Sequence, residues 1–159
     1  MACELAVVGC GDALHADDGA GVALVRQLRA AGVPPAVRLV DGGSSGMDVA
    51  FQLRGAKRVI VVDAARTGAA AGTVSRVPGA DVADMPPLSG LRTRSYRWDH
   101  ALAFARWLLG DEYPADVTVY LIEAADLTPG GALSPSARAG MDQVLGLIRR
   151  ERAFRRSMP

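Results

Sequence analysis

The chain has 159 residues, 50% hydrophobic and 22% charged, which is the composition of an ordinary globular protein; we expect a single domain over residues 1–159. A formal net charge of +1 gives no electrostatic field that would indicate a nucleic acid or an anionic membrane as partner. Two cysteines are too few for a disulfide framework or a zinc site. We recognise no signal peptide and no long apolar stretch, which predicts a cytoplasmic protein.

The N-terminal stretch from Val7 to Val22, VVGCGDALHADDGAGV, predicts a buried strand, a glycine turn, an acidic loop and the start of a helix. Gly9 and Gly11 allow a sharp turn and the close approach of backbone or ligand. The strand end of an open α/β sheet is also the place where ligands usually bind.

Two carboxylates precede the first helix, which we expect to run from about Asp18 or Gly19 to Ala31. At this position Asp17 and Asp18 would cap the helix and complement its dipole. The same position also suits a chemical role, so both interpretations stay open.

Short elements follow in the middle of the chain, separated by glycine, proline and serine. Continuous apolar runs there are typical of strands covered on both faces, as in the middle of a parallel sheet. In chain order we predict a strand from Val37 to Val40 ending at Asp41, a helix from about Gly46 to Arg54, a covered strand from Arg58 to Asp63, and an edge strand from Thr73 to Val77.

A helix is predicted from about His100 to Leu109, after an irregular segment. Asp99 is expected to cap it, and Leu102, Trp107 and Leu108 are available for the core.

The C-terminal part contains one more covered strand, from Val117 to Ile122, ending at Glu123. Ser134 followed by Pro135 predicts the start of the last helix. Its buried face is expected to consist of Met141, Val144, Leu145 and Ile148. The alternation of strand and helix predicts an α/β fold with three layers: a mostly parallel twisted sheet of about five strands with helices on both faces.

Acidic residues stand where the predicted strands end, with Asp17 and Asp18 after the first, Asp41 after the second, Asp63 after the third and Glu123 after the last. In a parallel sheet these ends lie along one edge. Each residue alone would be an ordinary cap or turn residue. Several carboxylates on one edge repel one another unless a cation or proton lies among them, so the recurrence favours a hard-cation or general-base site.

His100 opens a helix and could reach this edge if the helix directs its N-terminus at the strand ends. Asp18, Asp63 and His100 would then supply two oxygens and one nitrogen, a set that suits a divalent ion such as nickel or zinc. His15 in the first loop is a rival ligand or an exposed residue. A polar helix-start residue remains the simpler explanation of His100.

A second motif predicts different chemistry, since Gly42-Gly43-Ser44-Ser45-Gly46 matches G-x-S-x-G between a strand and a helix. Ser44, Asp63 and His100 also follow the chain order of a serine hydrolase. Two elements still follow His100, whereas the histidine of that fold normally comes after the last strand. Glycine and serine pairs are also ordinary turn and cap residues.

Five blocks of the sequence together resemble the hydrogenase maturation proteases. These are the endopeptidases that trim the C-terminus of the large subunit of nickel–iron hydrogenases. The resemblance covers nearly the whole chain. It is carried by the blocks VVGCGDALHADDGAGV, DGGSSG at Asp41 to Gly46, VIVVDAARTGAAAGTV at Val59 to Val74, WDHAL at Trp98 to Leu102, and LSPSA at Leu133 to Ala137.

The resemblance implies three metal-binding residues: an acidic residue in the first loop, an aspartate after the third strand and a histidine that opens a later helix. Carried over, these positions are Asp18, Asp63 and His100, with the same three residues as the catalytic set. The first position is often glutamate in the family, so the shorter Asp18 could tighten the geometry or share its role with Asp17.

The substrate implied by the resemblance is the precursor of a hydrogenase large subunit, and nickel already inserted in that precursor is the expected recognition point. The metal would polarise the scissile carbonyl or lower the pKa of a bound water. The expected substrate-binding residues are Asp17, Asp41, Gly42 and Gly43: either aspartate could act as the base, and the two glycines would let the substrate backbone approach. A monomer can suffice. A serine hydrolase and a non-catalytic metal-sensing or chaperone-like module are the alternatives.

Overall fold

The computed structural model describes residues 2–42, 46–79 and 98–156, and for residues 46–48 and 100 it describes the backbone. The strands are β1 (Cys3–Gly9), β2 (Val37–Asp41), β3 (Ala56–Ala65), β4 (Val74–Pro78) and β5 (Asp116–Glu123). The helices are α1 (Ala20–Ala31), α2 (Gly46–Leu53), α3 (Trp98–Leu109), α4 (Pro135–Arg149) and the short α5 (Arg152–Arg155). Short 3-10 turns cover Ala16–Gly19 and Gly110–Glu112.

Within these residues the five strands form one sheet in the order β2-β1-β3-β5-β4. The first four strands of that order are parallel, and β4 pairs with β5 in the antiparallel direction. The edge position predicted for the fourth strand is therefore confirmed. The carboxyl ends of β1, β2, β3 and β5 lie along one edge, and the start of β5 and the end of β4 lie at the opposite edge.

Alternate residues of each strand enter two separate cores, because successive side chains point to opposite faces of a sheet. On one face α2 and α3 cover residues such as Ala6, Val8 and Val61. On the other face α1 and α4 cover residues such as Val7 and Ile60. The three-layer α/β architecture and the mostly parallel sheet predicted from the sequence are thus confirmed.

The last helix begins and packs as predicted. The Ser134 hydroxyl accepts a hydrogen bond from the Ala137 amide, with Pro135 at the first helical position. Its buried face includes Met141, Val144, Leu145 and Ile148. Local capping chemistry and a 3.6-residue apolar period were sufficient to predict this helix.

The starts of two other helices differ from the prediction. Gly19 is the N-cap residue of α1 and no side chain caps that helix, so Asp17 and Asp18 lie in the preceding 3-10 turn instead. The helix α3 begins at Trp98, which places Asp99 inside its first turn rather than ahead of it. At the start of α3 the Trp98 amide donates a hydrogen bond to Asp63, a residue distant in sequence.

Trp107 was expected in the core and is 78% exposed, so that prediction is wrong. The buried face of α3 contains Ala101, Leu102 and Ala105. Two residues beyond Ala105, Trp107 is rotated about 200° around the helix axis and faces away from the sheet. Leu108 is half-buried against the core.

None of the described helices is long and apolar enough to cross a membrane.

Leu102→Ala should lower the free energy of unfolding by about 2–5 kcal/mol, because Leu102 is 1% exposed and its loss leaves a cavity. Trp107→Ala on the same helix is the matched control and should change it by no more than about 0.5 kcal/mol. Urea denaturation followed by circular dichroism measures both. Equal losses in the two variants would contradict the assignment of the faces of α3.

Candidate active site

Gly11 brings the first loop against the strand ends. Its φ of +116° suits glycine, and a Cβ built there would lie 2.0 Å from the Asp18 carbonyl oxygen and 3.3 Å from Oδ1 of Asp63. The main chain of Asp18 and the carboxylate of Asp63 therefore flank the same glycine. Asp18 and Asp63 are 7% and 4% exposed, so both lie in a region from which water is largely excluded.

Backbone amides position both side chains. The Asp12 amide donates to Oδ2 of Asp18 at 3.1 Å, and the Ala64 amide donates to Oδ1 of Asp63 at 2.8 Å. The Trp98 amide donates to Oδ2 of Asp63 at 3.3 Å. Because Trp98 opens α3, the Asp63 carboxylate lies at the helix N-terminus, where the helix dipole favours a negative charge.

His100 is the third residue of α3 and lies in the turn that begins at Trp98 beside Asp63. Its side chain lies outside the described part of the structure, so the predicted trio is described for Asp18 and Asp63 only. Among the side chains that are described, no three or more His, Cys, Asp or Glu residues form a group that could hold a metal ion. The metal role of the trio stays a prediction.

Cys10 follows β1 and lies fully buried among the acidic strand ends. Burial raises the pKa of the Cys10 thiol well above its usual value, and the negative charges of Asp63, Asp41 and Asp99 raise it further. A raised pKa favours the protonated thiol, which is a weaker nucleophile than the thiolate. The carboxylates of Asp63, Asp41 and Asp99 are near enough to Cys10 for their charges to act on its thiol.

Asp17 connects the first loop to the loop between β5 and α4. Its carboxylate accepts hydrogen bonds from the amides of Ala125, Asp126 and Ser134 at 2.8, 3.0 and 2.7 Å, and from the Ser134 hydroxyl at 2.8 Å. Burial raises the pKa of Asp17, but these hydrogen bonds outweigh burial and lower the pKa below its usual value. With 0% exposure Asp17 holds two loops together, and its predicted substrate-binding and base roles stay untested.

Glu123 has a comparable position at the end of β5. Its carboxylate accepts hydrogen bonds from the Thr67 amide and hydroxyl at 2.8 and 2.9 Å and from the Gly68 amide at 3.1 Å. It therefore organises the loop between β3 and β4. Two of the strand-end carboxylates thus have loop-holding contacts that sequence analysis did not separate from the others.

Asp41 and Gly42 follow β2 at the same edge. The Asp41 carboxylate lies 3.7 Å from the Arg26 guanidinium of α1, and its side chain is 33% exposed. Gly42 is buried and its amide donates to the Gly9 carbonyl oxygen at 2.7 Å. Gly43 and Ser44 lie outside the described residues, so neither the predicted substrate contact of Gly43 nor the serine of the hydrolase alternative has a described geometry.

His15 lies on the outer side of the first loop. Its Nδ1 is 2.7 Å from Oδ2 of Asp12, the residue whose amide binds Asp18. The side chain of His15 is 39% exposed. His15 thus supports the loop that carries Asp18, and its predicted rival role as a ligand stays untested.

Two features of the site were missed by sequence analysis. One is Gly21, where an added Cβ would lie 2.2 Å from the Val62 carbonyl oxygen; the close backbone approach expected at Gly9 is present, since a Cβ there would lie 2.1 Å from the Gly21 carbonyl oxygen. The other is Cys10, whose surroundings depend on three separate segments. A glycine in the first turn of an otherwise apolar helix was the available signal for the first feature.

A sequence model of the family described as hydrogenase maturation protease matches residues 22–151, well over half of the chain. The chain belongs to the hydrogenase maturation protease family. The matched range includes Asp63 and His100 and begins after Asp18. The family expected from the sequence blocks is therefore confirmed, and it is a family of peptidases.

Two relatives match this chain over most of its length. The hydrogenase expression/formation protein HupD of Thiocapsa roseopersicina is 31% identical over 137 residues, which are 85% of this chain and 61% of the relative. HupD of Bradyrhizobium diazoefficiens is 33% identical over 142 residues, 85% of this chain and 70% of the relative. The chain thus spans about two thirds of the length of these relatives.

Solved structures of the maturation protease family share the fold. The hydrogenase maturating endopeptidase HybD from E. coli superposes with a TM-score of 0.75 at 24% identity, covering 97% of this chain and 93% of that one. The [NiFe] hydrogenase maturation protease HybD from Thermococcus kodakarensis has the same TM-score at 22% identity, covering 92% and 97%.

Gly11→Ala should lower the free energy of unfolding by at least about 2 kcal/mol, because the positive φ is strained for alanine and its Cβ would collide with Asp18. Gly146→Ala in α4 is the matched control: no atom lies within 4 Å of its built Cβ, so the change should be stabilising. Thermal and urea denaturation measure both. An unchanged free energy of unfolding in Gly11→Ala would contradict the close contact between Gly11 and Asp18.

Asp17→Asn should also lower the free energy of unfolding, by at least about 2 kcal/mol. Both carboxylate oxygens of Asp17 accept hydrogen bonds, and the amide nitrogen that would replace one of them cannot accept any. Asp142→Asn, at an exposed position of α4, should change the stability by no more than about 0.5 kcal/mol. Urea denaturation at neutral pH compares the two. If both variants unfold at the wild-type urea concentration, the loop-holding role of Asp17 is wrong.

Proposed function

We propose that this protein is an endopeptidase that removes the C-terminal extension of a nickel-loaded [NiFe] hydrogenase large-subunit precursor. The observation that carries the proposal is the juxtaposition of Asp18 and Asp63 about Gly11, at the N-terminus of the helix that contains His100. Membership of the hydrogenase maturation protease family supports the reaction class. The names of the relatives support a hydrogenase precursor as substrate.

Nickel enters this proposal as part of the substrate. Asp18 and Asp63 both contact Gly11, Asp18 through its main chain and Asp63 through its carboxylate, and both residues are nearly buried. A divalent cation bound by the two carboxylates would offset the cost of burying their negative charges. Two oxygens from Asp18 and Asp63 and one imidazole nitrogen from His100 form a donor set suited to a borderline divalent ion. Nickel held by the precursor would complete its coordination with these residues, so a precursor without nickel would dock poorly.

The hydrolysis step requires an activated water and a polarised peptide carbonyl. Substrate-bound nickel would supply the Lewis acidity for one or both. Of the two carboxylates considered as base, Asp41 is the better candidate because its side chain is partly exposed at the edge of the site. All four hydrogen bonds of Asp17 would have to rearrange before its carboxylate could take a proton from water.

Cleavage of a nickel-loaded large-subunit precursor should be lost, by at least about a hundredfold in rate, in Asp63→Asn and in His100→Gln. Asp18→Asn should act in the same way. Ser44→Ala is the matched control and should cleave at the wild-type rate, because the proposed reaction does not use its hydroxyl. Mass spectrometry of the precursor before and after incubation measures the release of the extension.

The same assay with a precursor prepared without nickel tests recognition. Cleavage restricted to the nickel-loaded precursor is the expected result. Equal cleavage of both precursors would overturn the role of nickel but keep the peptidase. Loss of cleavage in Ser44→Ala would favour the serine hydrolase, and no cleavage by the wild-type protein would favour a non-catalytic binding module.

A further inference from the structure

A cavity lies at the edge of the sheet opposite the candidate active site. It is a cavity of about 460 Å³ between the end of β4, the start of β5 and the segment that joins α3 to β5. The residues that matter for its chemistry are Arg76, Arg106, Tyr113, Asp116 and Thr118.

The cavity and the candidate active site are well separated. Asp116 at the cavity begins β5, and Glu123 at the opposite edge ends it, so seven residue steps lie between them. At about 3.3 Å per residue this corresponds to roughly 23 Å. The cavity is therefore not a part of the candidate active site, and the proposed peptidase reaction does not explain it.

Two arginines, Arg76 and Arg106, line the cavity. Within the described residues, the ion pairs are formed by other basic side chains, and neither Arg76 nor Arg106 has an acidic oxygen within 4.0 Å. The Arg106 guanidinium lies 5.8 Å from the centre of the Tyr113 ring, a cation–π distance. This contact positions a planar cation at the cavity wall.

Asp116 also lines the cavity, and its carboxylate is paired with Arg58. One Nη of Arg58 donates to Asp116 at 2.8 Å and to the Thr118 hydroxyl at 3.1 Å. Arg58 also donates two hydrogen bonds to Glu151, at 3.0 and 2.9 Å. Arg58, Asp116 and Glu151 together leave one negative charge, which is smaller than the two positive charges of Arg76 and Arg106, so the charge of this group of residues stays positive.

Tyr113 adds a hydrogen-bond donor to this wall. Burial raises the pKa of Tyr113 above its usual value, although the positive charge of Arg106 opposes the shift. The phenol therefore stays protonated at neutral pH and can donate to an acceptor. A wall with guanidinium and hydroxyl donors is complementary to an oxyanion.

We propose that this cavity binds a small molecule that carries an oxyanion, either a phosphate or a carboxylate, through Arg76 and Arg106. Guanidinium groups bind both anions with paired, charge-assisted hydrogen bonds. The volume of 460 Å³ lies in the range of small-molecule sites and leaves room for a ligand body beyond the anionic group.

Nuclear magnetic resonance titration of the full chain with inorganic phosphate, and separately with succinate, tests the proposal. Sodium chloride keeps the ionic strength constant, so that general screening does not vary. For at least one anion we expect saturable shifts at the amides of Gly79, Tyr113 and Ala115, which line the cavity. Shifts with phosphate alone identify a phosphate ligand, and shifts with succinate alone identify a carboxylate ligand.

Arg76→Gln and Arg106→Gln should each weaken the binding by about tenfold, the effect of losing one charge-assisted contact. Both arginines are exposed, and the spectra themselves report whether the fold is retained. Arg29→Gln, at an exposed position of α1, is the matched control and should bind as wild type does. The proposal is overturned if neither anion gives saturable shifts at the cavity, or if both cavity variants titrate like the wild type.

Discussion

Close backbone packing at the end of β1 is the constraint on which the site depends. The main chain at Gly9 touches that at Gly21, and Gly21 in turn lies against the end of β3. Gly11 then brings the Asp18 carbonyl oxygen and the Asp63 carboxylate close to one α-carbon. The atoms nearest to a Cβ built on Gly9, Gly11 or Gly21 are main-chain carbonyl oxygens, so no change of side-chain rotamer can make room for an added methyl group.

The strand-end carboxylates differ in the contacts they make. Asp17 and Glu123 each accept several hydrogen bonds from loops that are distant in sequence, and they hold those loops in place. Asp18 and Asp63 also accept hydrogen bonds from backbone amides, and both residues contact Gly11. One edge can carry these four acidic residues because backbone amides compensate the charge of each carboxylate.

Sequence patterns predicted the strands, the sheet edge and the last helix because these depend on local signals. Continuous apolar runs indicate covered strands, and Ser134 with Pro135 indicates a helix start whatever surrounds them. The start of α3 was predicted less well, since the Trp98 amide donates to Asp63, thirty-five residues earlier in the chain. The burial of Trp107 was predicted wrongly, because an aromatic residue favours burial but does not by itself show whether it lies on the buried face of its helix.

The sequence by itself determined the α/β class, the family and the carboxylates at the strand ends, because these follow from periodicity and from local motifs. Only the tertiary structure decided that Asp17 holds a loop while its neighbour Asp18 lies at the site. It also decided that Arg76 and Arg106 share a cavity. The physical reason is the same in each case: a side chain's role depends on the donors and charges that folding brings to it from distant segments, and the identity of the residue does not encode them.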